Sequence, residues 1–392
     1  MRLAIGTSEA SRSAMIKQHS RANVEMLALI SSLVWLYLFF AHGKFWQSGP
    51  ELAPATPTEF PDVDIIVPAR DEAEAIRPVI ASLLSQDYPG NFRVTLVDDN
   101  STDGTVAIAG TAPKLNVIRG QPKPLEWSGK LWALSQGIKL SSAPILLFAD
   151  ADVIHDPRHL SSLVARLVHP RVELVSEMVR LNCSSLAERA LVPAFVYFFQ
   201  MLYPFAKVND PLSAVAAAAG GTILVRRTAL DKIGGLDAMK SALIDDVRLA
   251  QLVKTIGPIY LGHSGLASSI RRYPKFSDIW RMISRTAFTQ LRYSAAFLSV
   301  AIIGLMVIFL VPAWEVLFGH GWGLTLGLLA IVLAAISFMP TLARYNQNKL
   351  LALTMPLIVL FYMAATFGSA LNYWFGRGAI WKNRGYGADN RT

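Results

Sequence analysis

The chain has 392 residues, 53% of them hydrophobic and only 17% charged, which is more apolar than a typical soluble protein and points to a membrane. Its single cysteine, Cys183, excludes an internal disulfide and any cysteine-rich zinc site. The net charge of +9 comes from 37 Lys and Arg against 28 Asp and Glu, and because many of the cations flank apolar segments, an anionic lipid surface explains them better than nucleic acid does.

The first apolar segment is Met26 to Gly43, MLALISSLVWLYLFFAHG. A signal peptide shares its basic flank, but no A-x-A-type cleavage site follows, so residues 1–45 read as a tail and a retained anchor. A Pro-rich linker over 46–61, with Pro50, Pro54, Pro57 and Pro61, reads as a stiff spacer.

Residues 62–265 have a different character. The runs "DIIVPAR", "RVTLVDDN" and "PILLFADAD" are short and β-branched or bulky, and they alternate with helical stretches such as Glu72 to Leu84 and Leu131 to Lys139. Strand, helix, strand order predicts an α/β domain with a mostly parallel sheet, in which ligands bind beyond the carboxyl ends of the strands. All three runs end there in polar residues: Arg70 and Asp71; Asp98, Asp99 and Asn100; Asp150 and Asp152.

In an extended segment Asp150 and Asp152 point the same way, and two converging carboxylates suit a hard divalent cation, Mg²⁺ or Mn²⁺. D-x-D alone is common by chance; its place at the end of a buried-looking strand, with Asp98 and Asp99 ending another, gives it weight. In "VDDNSTDGT", residues 97–105, a turn with Ser101 or Thr102 as helix cap accounts for most of the residues, yet two adjacent aspartates exceed what a turn needs. One of them suits a base N–H or a ribose hydroxyl. "WSGKLWALSQG", residues 127–137, places Gly129 and Lys130 at a helix start, where a diphosphate fits, with a solvated surface lysine as the plain alternative.

The stretch 190–205, "ALVPAFVYFFQMLYPF", carries two prolines and six aromatics and reads as an interfacial helix rather than a span. As a span it would put Asp152 and Asp246 on opposite sides of a bilayer. In "AAAAGGTILVRR", residues 216–227, Gly220 and Gly221 allow a substrate close to the backbone. "ALIDDVRLAQLVK", residues 242–254, opens an amphipathic helix with Val247, Ala250 and Val253 inward. Asp245 and Asp246 either complement its dipole or supply a general base.

Residues 266–294 are basic and interfacial, with Arg271, Arg272, Lys275, Arg281, Arg285 and Arg292. Ala295 to Trp314, Gly323 to Leu342 and Leu350 to Leu371 follow as uncharged segments of transmembrane length, with no ionisable residue that would mark a transport path. A basic tail occupies 373–392. The cations before Ala295, and Arg344 with Lys349, favour a cytoplasmic catalytic domain. The basic termini conflict with one span at each end unless translation begins at Met26 or Leu350 to Leu371, bent at Pro356, is re-entrant.

Together these residues resemble the family 2 glycosyltransferases with a GT-A fold: "VPARDE", "VDDNSTDGT", "GK..AL", "DAD" and "DD" occur in that order between Asp62 and Tyr293. The finer text, including "ERALVPAFVYFFQMLYPFAKVNDP" and "DIWRMISRTAFTQLRYS", is similar to the hopene-associated glycosyltransferases of hopanoid-producing bacteria. The resemblance implies an inverting transfer from a nucleotide-sugar to a lipid acceptor by a multi-pass protein of the bacterial inner membrane. It implies that Asp98, Asp99, Pro68, Ala69 and Glu72 form the nucleoside pocket and that Lys130 meets the diphosphate. Asp152 with Asp150 would hold the metal, and Asp246, beside Asp245, would take the acceptor proton. Gly220, Gly221, Arg285, Arg292 and Tyr293 would lie on the acceptor side. Many membrane members carry Q-x-x-R-W where this chain has "TQLRY", which argues against processive synthesis. A polyprenyl-phosphate or carotenoid transferase of the same fold, and a binding protein with a degenerate catalytic domain, are the competing readings.

Overall fold

The computed structural model describes the backbone of residues 3–375, 379–381 and 384–386 and the side chains of residues 21–375. Its large sheet is built from β1 (Glu51–Leu52), β2 (Val63–Ala69), β3 (Phe92–Asp98), β4 (Leu115–Arg119), β5 (Ile145–Ala149), β6 (Val153–His155), β7 (Leu174–Arg180), β8 (Thr222–Arg226) and β9 (Ile259–Ser269). The order across the sheet is β1-β9-β7-β8-β5-β2-β3-β4, with β6 added to β9. β8 runs antiparallel to both neighbours, and β6 runs antiparallel to β9; the other pairings are parallel. β2, β3, β5, β7 and β9 therefore all end at the same edge.

The apolar runs lack polar alternation because the sheet is covered on both faces. Ile65 and Val67 of β2 pack with Val94, Leu96, Ile145 and Leu147 on one side. Ile66 packs with Val97, Leu146 and Phe148 on the other. Helix Gly129–Lys139 lies close enough there that a Cβ on Gly137 would stand 2.5 Å from Ile66 Cγ2. That contact admits only glycine.

Among the described residues four helices are long and apolar enough to cross a membrane: Arg21–Phe40, Ala295–Phe318, Trp322–Arg344 and Lys349–Trp374. The second contains a π-turn at Met306–Leu310 just before Pro312. Proline has no N–H, so the carbonyl of Ile308 loses its helical partner. The first helix replaces it: Trp35 Nε1 donates to that oxygen at 2.7 Å. In an apolar setting such replacement is what permits the proline.

Several expectations are corrected here. Glu315 lies inside the second apolar helix, which runs past Trp314 to Phe318, so that helix does hold an ionisable residue, buried against Gly319, Gly323 and Gly327. The aromatic stretch forms helix Leu186–Leu202, but it is a buried joint rather than a surface helix: Tyr197 shares a hydrogen bond with Ser337 at 2.7 Å and Tyr362 donates to the Leu191 carbonyl at 2.9 Å. Its aromatics cover the interval between the sheet and the apolar helices. The Pro-rich linker is not a free spacer either, because Glu51 and Leu52 pair with His263 and Ser264 of β9. Pro356 sits in the first turn of helix Met355–Trp374, where proline needs no bend.

Candidate active site

The carboxyl edge of β2 and β3 forms one wall. Ala69 is in register with Asp98, and the N–H of Asp99 donates to the Ala69 carbonyl at 2.8 Å. Asp98 and Asp99 are both buried. Asp98 Oδ1 accepts from the Ser101 N–H at 3.1 Å, which closes the turn. Neither Ser101 nor Thr102 caps the next helix: Ser101 Oγ accepts from Asp71 N–H at 3.0 Å, Asp71 Oδ1 accepts from Thr102 N–H at 2.8 Å, and Gly104 at φ 87° precedes the helix. The two loops are stitched together, and Pro68, Ala69, Glu72, Asp98 and Asp99 lie along the seam.

A second group gathers beyond β5. Ser128 caps helix Gly129–Lys139, which projects Lys130 across the sheet edge. Lys130 Nζ lies 2.7 Å from Asp150 Oδ1 and 3.9 Å from Asp245 Oδ2, and donates to the Gly220 carbonyl at 3.3 Å. Asp245 and Asp246 form the first turn of helix Asp245–Lys254, and the Val247 N–H donates to Asp246 Oδ1 at 2.8 Å. A Cβ on Gly220 would meet Asp246 Oδ2 at 3.2 Å and Lys130 Nζ at 3.3 Å, so the bare glycine keeps room between carboxyl and ammonium. Gly221 serves a different purpose from the expected substrate approach, because its open side is filled by Val179, 3.0 Å from where a Cβ would stand.

The electrostatics follow from three carboxylates around one ammonium. Burial, reinforced by the charge of Asp245, pushes Asp246 up to about 7. Burial also raises Asp150, against the pull of Lys130. Burial alone would lower Lys130, but Asp150, Asp245 and Asp246 outweigh it and hold the ammonium charged. Asp246 is thus poised to exchange a proton near neutral pH.

Asp150 and Asp152 are not on an extended strand. β5 stops at Ala149, and the Val153 N–H bonds back to the Asp150 carbonyl at 3.3 Å, so the two aspartates flank a tight turn. Alternation along a strand therefore does not align them. Each is neutralised by a side chain: Asp150 by Lys130, and Asp152 by Arg271, whose Nε lies 2.5 Å from Asp152 Oδ2. Arg271 also reaches Glu72 Oε1 at 2.6 Å. Among the described residues no three His, Cys, Asp or Glu side chains group as a metal site. The two carboxylates nevertheless fit a hard cation in donor type and charge, since each already draws a positive group to contact distance.

Arg271 was missed by sequence reasoning, which placed it with the membrane-facing cations. Its position is set by Glu188, which accepts from the Tyr273 N–H at 2.6 Å while closing the Ser185 capping box. No local spacing announces that bond. Of the other expected acceptor-side residues, Tyr293 stacks on Tyr373 with ring centroids 4.6 Å apart, while Arg285 and Arg292 make no ion pair among the described residues.

With strand order and site established, the fold is GT-A. Residues 64–234 match the family model of glycosyl transferase family 2. The structure is similar to the mannosyltransferase PcManGT from Pyrobaculum calidifontis in complex with GDP-Man and Mn²⁺, with TM-score 0.55 and 21% identity, over 89% of this chain and 99% of that one. Two relatives are beta-monoglucosyldiacylglycerol synthases. That of Nostoc sp. is 28% identical over 194 residues, 48% of this chain and 40% of its own length. That of Synechocystis sp. is 28% identical over 224 residues, 53% of this chain and 44% of its own length. The chain thus spans less than half the length of these two relatives.

Proposed function

We propose that this protein moves one sugar, or a few, from a nucleotide-sugar to a hydroxyl of a lipid acceptor, in a single inverting displacement at the anomeric carbon. The observation that carries the reading is the convergence of Asp246, Lys130 and Asp150 around the bare backbone of Gly220. In this reading Pro68, Ala69, Glu72, Asp98 and Asp99 receive the nucleoside. Lys130 meets the diphosphate and counters the charge that builds on it as the sugar departs. Asp246, with its carboxyl pushed up to about 7, accepts the proton of the attacking hydroxyl, and Asp245 keeps that affinity high by its own charge. Asp152 and Asp150 would hold a divalent cation, which would supply Lewis-acid neutralisation of the leaving diphosphate. The mannosyltransferase neighbour, whose complex contains GDP-Man and Mn²⁺, supports that assignment.

The lipid acceptor is supported by the glucosyldiacylglycerol synthase relatives and by four helices long and apolar enough to cross a membrane, of which Trp322–Arg344 and Lys349–Trp374 meet helix Leu186–Leu202. Gly220, Arg285, Arg292 and Tyr293 mark the side from which it enters. We take the acceptor to be hopanoid-type on the strength of the sequence resemblance, and the protein to be multi-pass in a bacterial inner membrane with its catalytic domain cytoplasmic.

The test is release of nucleoside diphosphate by the protein in bacterial lipid, across UDP- and GDP-sugars, with Mg²⁺ or Mn²⁺, with and without a hopanoid alcohol. Metal-dependent release that requires the alcohol and is lost in Asp152→Asn and Asp246→Asn supports the whole reading. Release that ignores the hopanoid but responds to another lipid removes the hopanoid and keeps the transferase. Absence of nucleotide binding sinks both.

A further inference from the structure

A second cavity lies outside the cluster just described. It has a volume of about 810 Å³, well within the range of ligand pockets, and opens between the catalytic sheet and the apolar helices. Its floor is the end of β7 and the start of helix Leu186–Leu202; its far wall is the loop after Arg344, which links the third and fourth apolar helices.

Three observations define its chemistry. Arg180 and Arg189 both line it, both are exposed, and neither guanidinium has a hydrogen bond or carboxylate partner among the described residues. No acidic side chain lines the cavity, so the charge it presents is positive. Asn346, in the left-handed region at φ 54°, adds an exposed amide from the opposite wall. Guanidinium groups with free donors match phosphate oxygens. The lip is apolar: Leu186, 75% exposed, and Leu351 both border the opening. The loop joins the ends of two helices of membrane-spanning length, so if they cross a bilayer the mouth lies beside its headgroups.

We propose that this cavity binds the phosphate headgroup of a membrane lipid, gripped by Arg180 and Arg189 with Asn346, its acyl chains leaving past Leu186 and Leu351. None of its lining residues has a role in the transfer reading, although Ser269 of its wall accepts from the Arg271 N–H and Val179, next to Arg180, packs on Gly221. It stands whether or not the transfer reading above is correct.

Cys183 lines the same cavity and is the only cysteine in the chain, so it reports occupancy. Burial, together with Glu188, pushes its thiol up to about 11, so the thiolate that alkylates is scarce at neutral pH. The experiment is maleimide labelling of the full chain in a non-ionic detergent, with phosphatidic acid, with diacylglycerol of the same chains, or with inorganic phosphate. We expect phosphatidic acid to slow labelling at least about tenfold and diacylglycerol to leave it unchanged, with protection lost in Arg180→Gln and Arg189→Gln. Nucleotide binding, measured in the same samples, stays as in the parent, which separates this result from the fate of the transferase reading. Equal protection by millimolar inorganic phosphate would replace the lipid with a soluble anion. Labelling that no phosphate compound slows would overturn the site.

Discussion

The Nε of Arg271 lies 2.5 Å from Oδ2 of Asp152, and the same guanidinium reaches Glu72, so one arginine holds together a residue placed in the nucleoside pocket and one placed at the metal. Both carboxylates raise the arginine's proton affinity further, against the effect of burial. A metal at Asp152 must compete with this guanidinium. Arg271→Gln is therefore expected to bind Mn²⁺ more tightly than the parent when no nucleotide is present, by about tenfold for an interaction of roughly 1.4 kcal/mol. Titration followed by the Mn²⁺ electron paramagnetic signal measures it, and an unchanged or weaker affinity argues that Asp152 does not take the metal.

Asp246→Asn should keep the fold and nucleotide binding while turnover falls by about 100- to 10,000-fold, the usual share of a general base. Calorimetric binding of the nucleoside diphosphate alongside a turnover assay separates the two. Undiminished turnover removes Asp246 from the role.

The pH dependence has two opposite signs. Turnover requires the carboxylate, so it should rise with pH and level off above about 7, the position of the Asp246 carboxyl. Stability should move the other way. The folded chain holds this proton more tightly than the unfolded chain does, so the Asp246 contribution falls as pH rises from about 4 to about 7. Asp246→Asn is expected to melt above the parent at pH 8 and close to it at pH 4, by thermal melts in one buffer series.

Gly220→Ala adds a methyl group 3.2 Å from Asp246 Oδ2 and 3.3 Å from Lys130 Nζ. Both groups must shift by a few tenths of an ångström, and a loss of about 10- to 100-fold in turnover with an unaltered melting temperature is expected. Parent-like turnover would show that the gap between base and lysine is not used.

The strands were legible because a sheet covered on both faces demands continuous apolar runs, and "DIIVPAR" and "PILLFADAD" have no other comfortable fate. Lys130 was legible as well, since Ser-Gly-Lys before an amphipathic stretch marks a helix start. What escaped is what depends on distant partners. Arg271 looks like any cation of a basic segment until Glu188 fixes the backbone two residues on. The 190–205 stretch looks like a surface helix because a sequence shows apolar residues but not what covers them; Ser337 and Tyr362 come from helices more than a hundred residues later. Asp150 and Asp152 read as an extended pair in the sequence, but a turn rather than a strand presents them.

The pairing of β1 with β9 has a consequence for how the chain is made. The Pro50 carbonyl accepts from the His263 N–H at 2.8 Å, and Arg344 closes on Glu51 at 2.9 Å and on Ser48 at 3.1 Å. The first strand to leave the ribosome thus waits for the last strand of the sheet, and the latch over both arrives only after the third apolar helix has been synthesised. Until β9 is made the growing protein exposes an unpaired sheet edge. A catalytic fragment cut free after residue 294 would keep both strands but lack the Arg344 contacts that latch them.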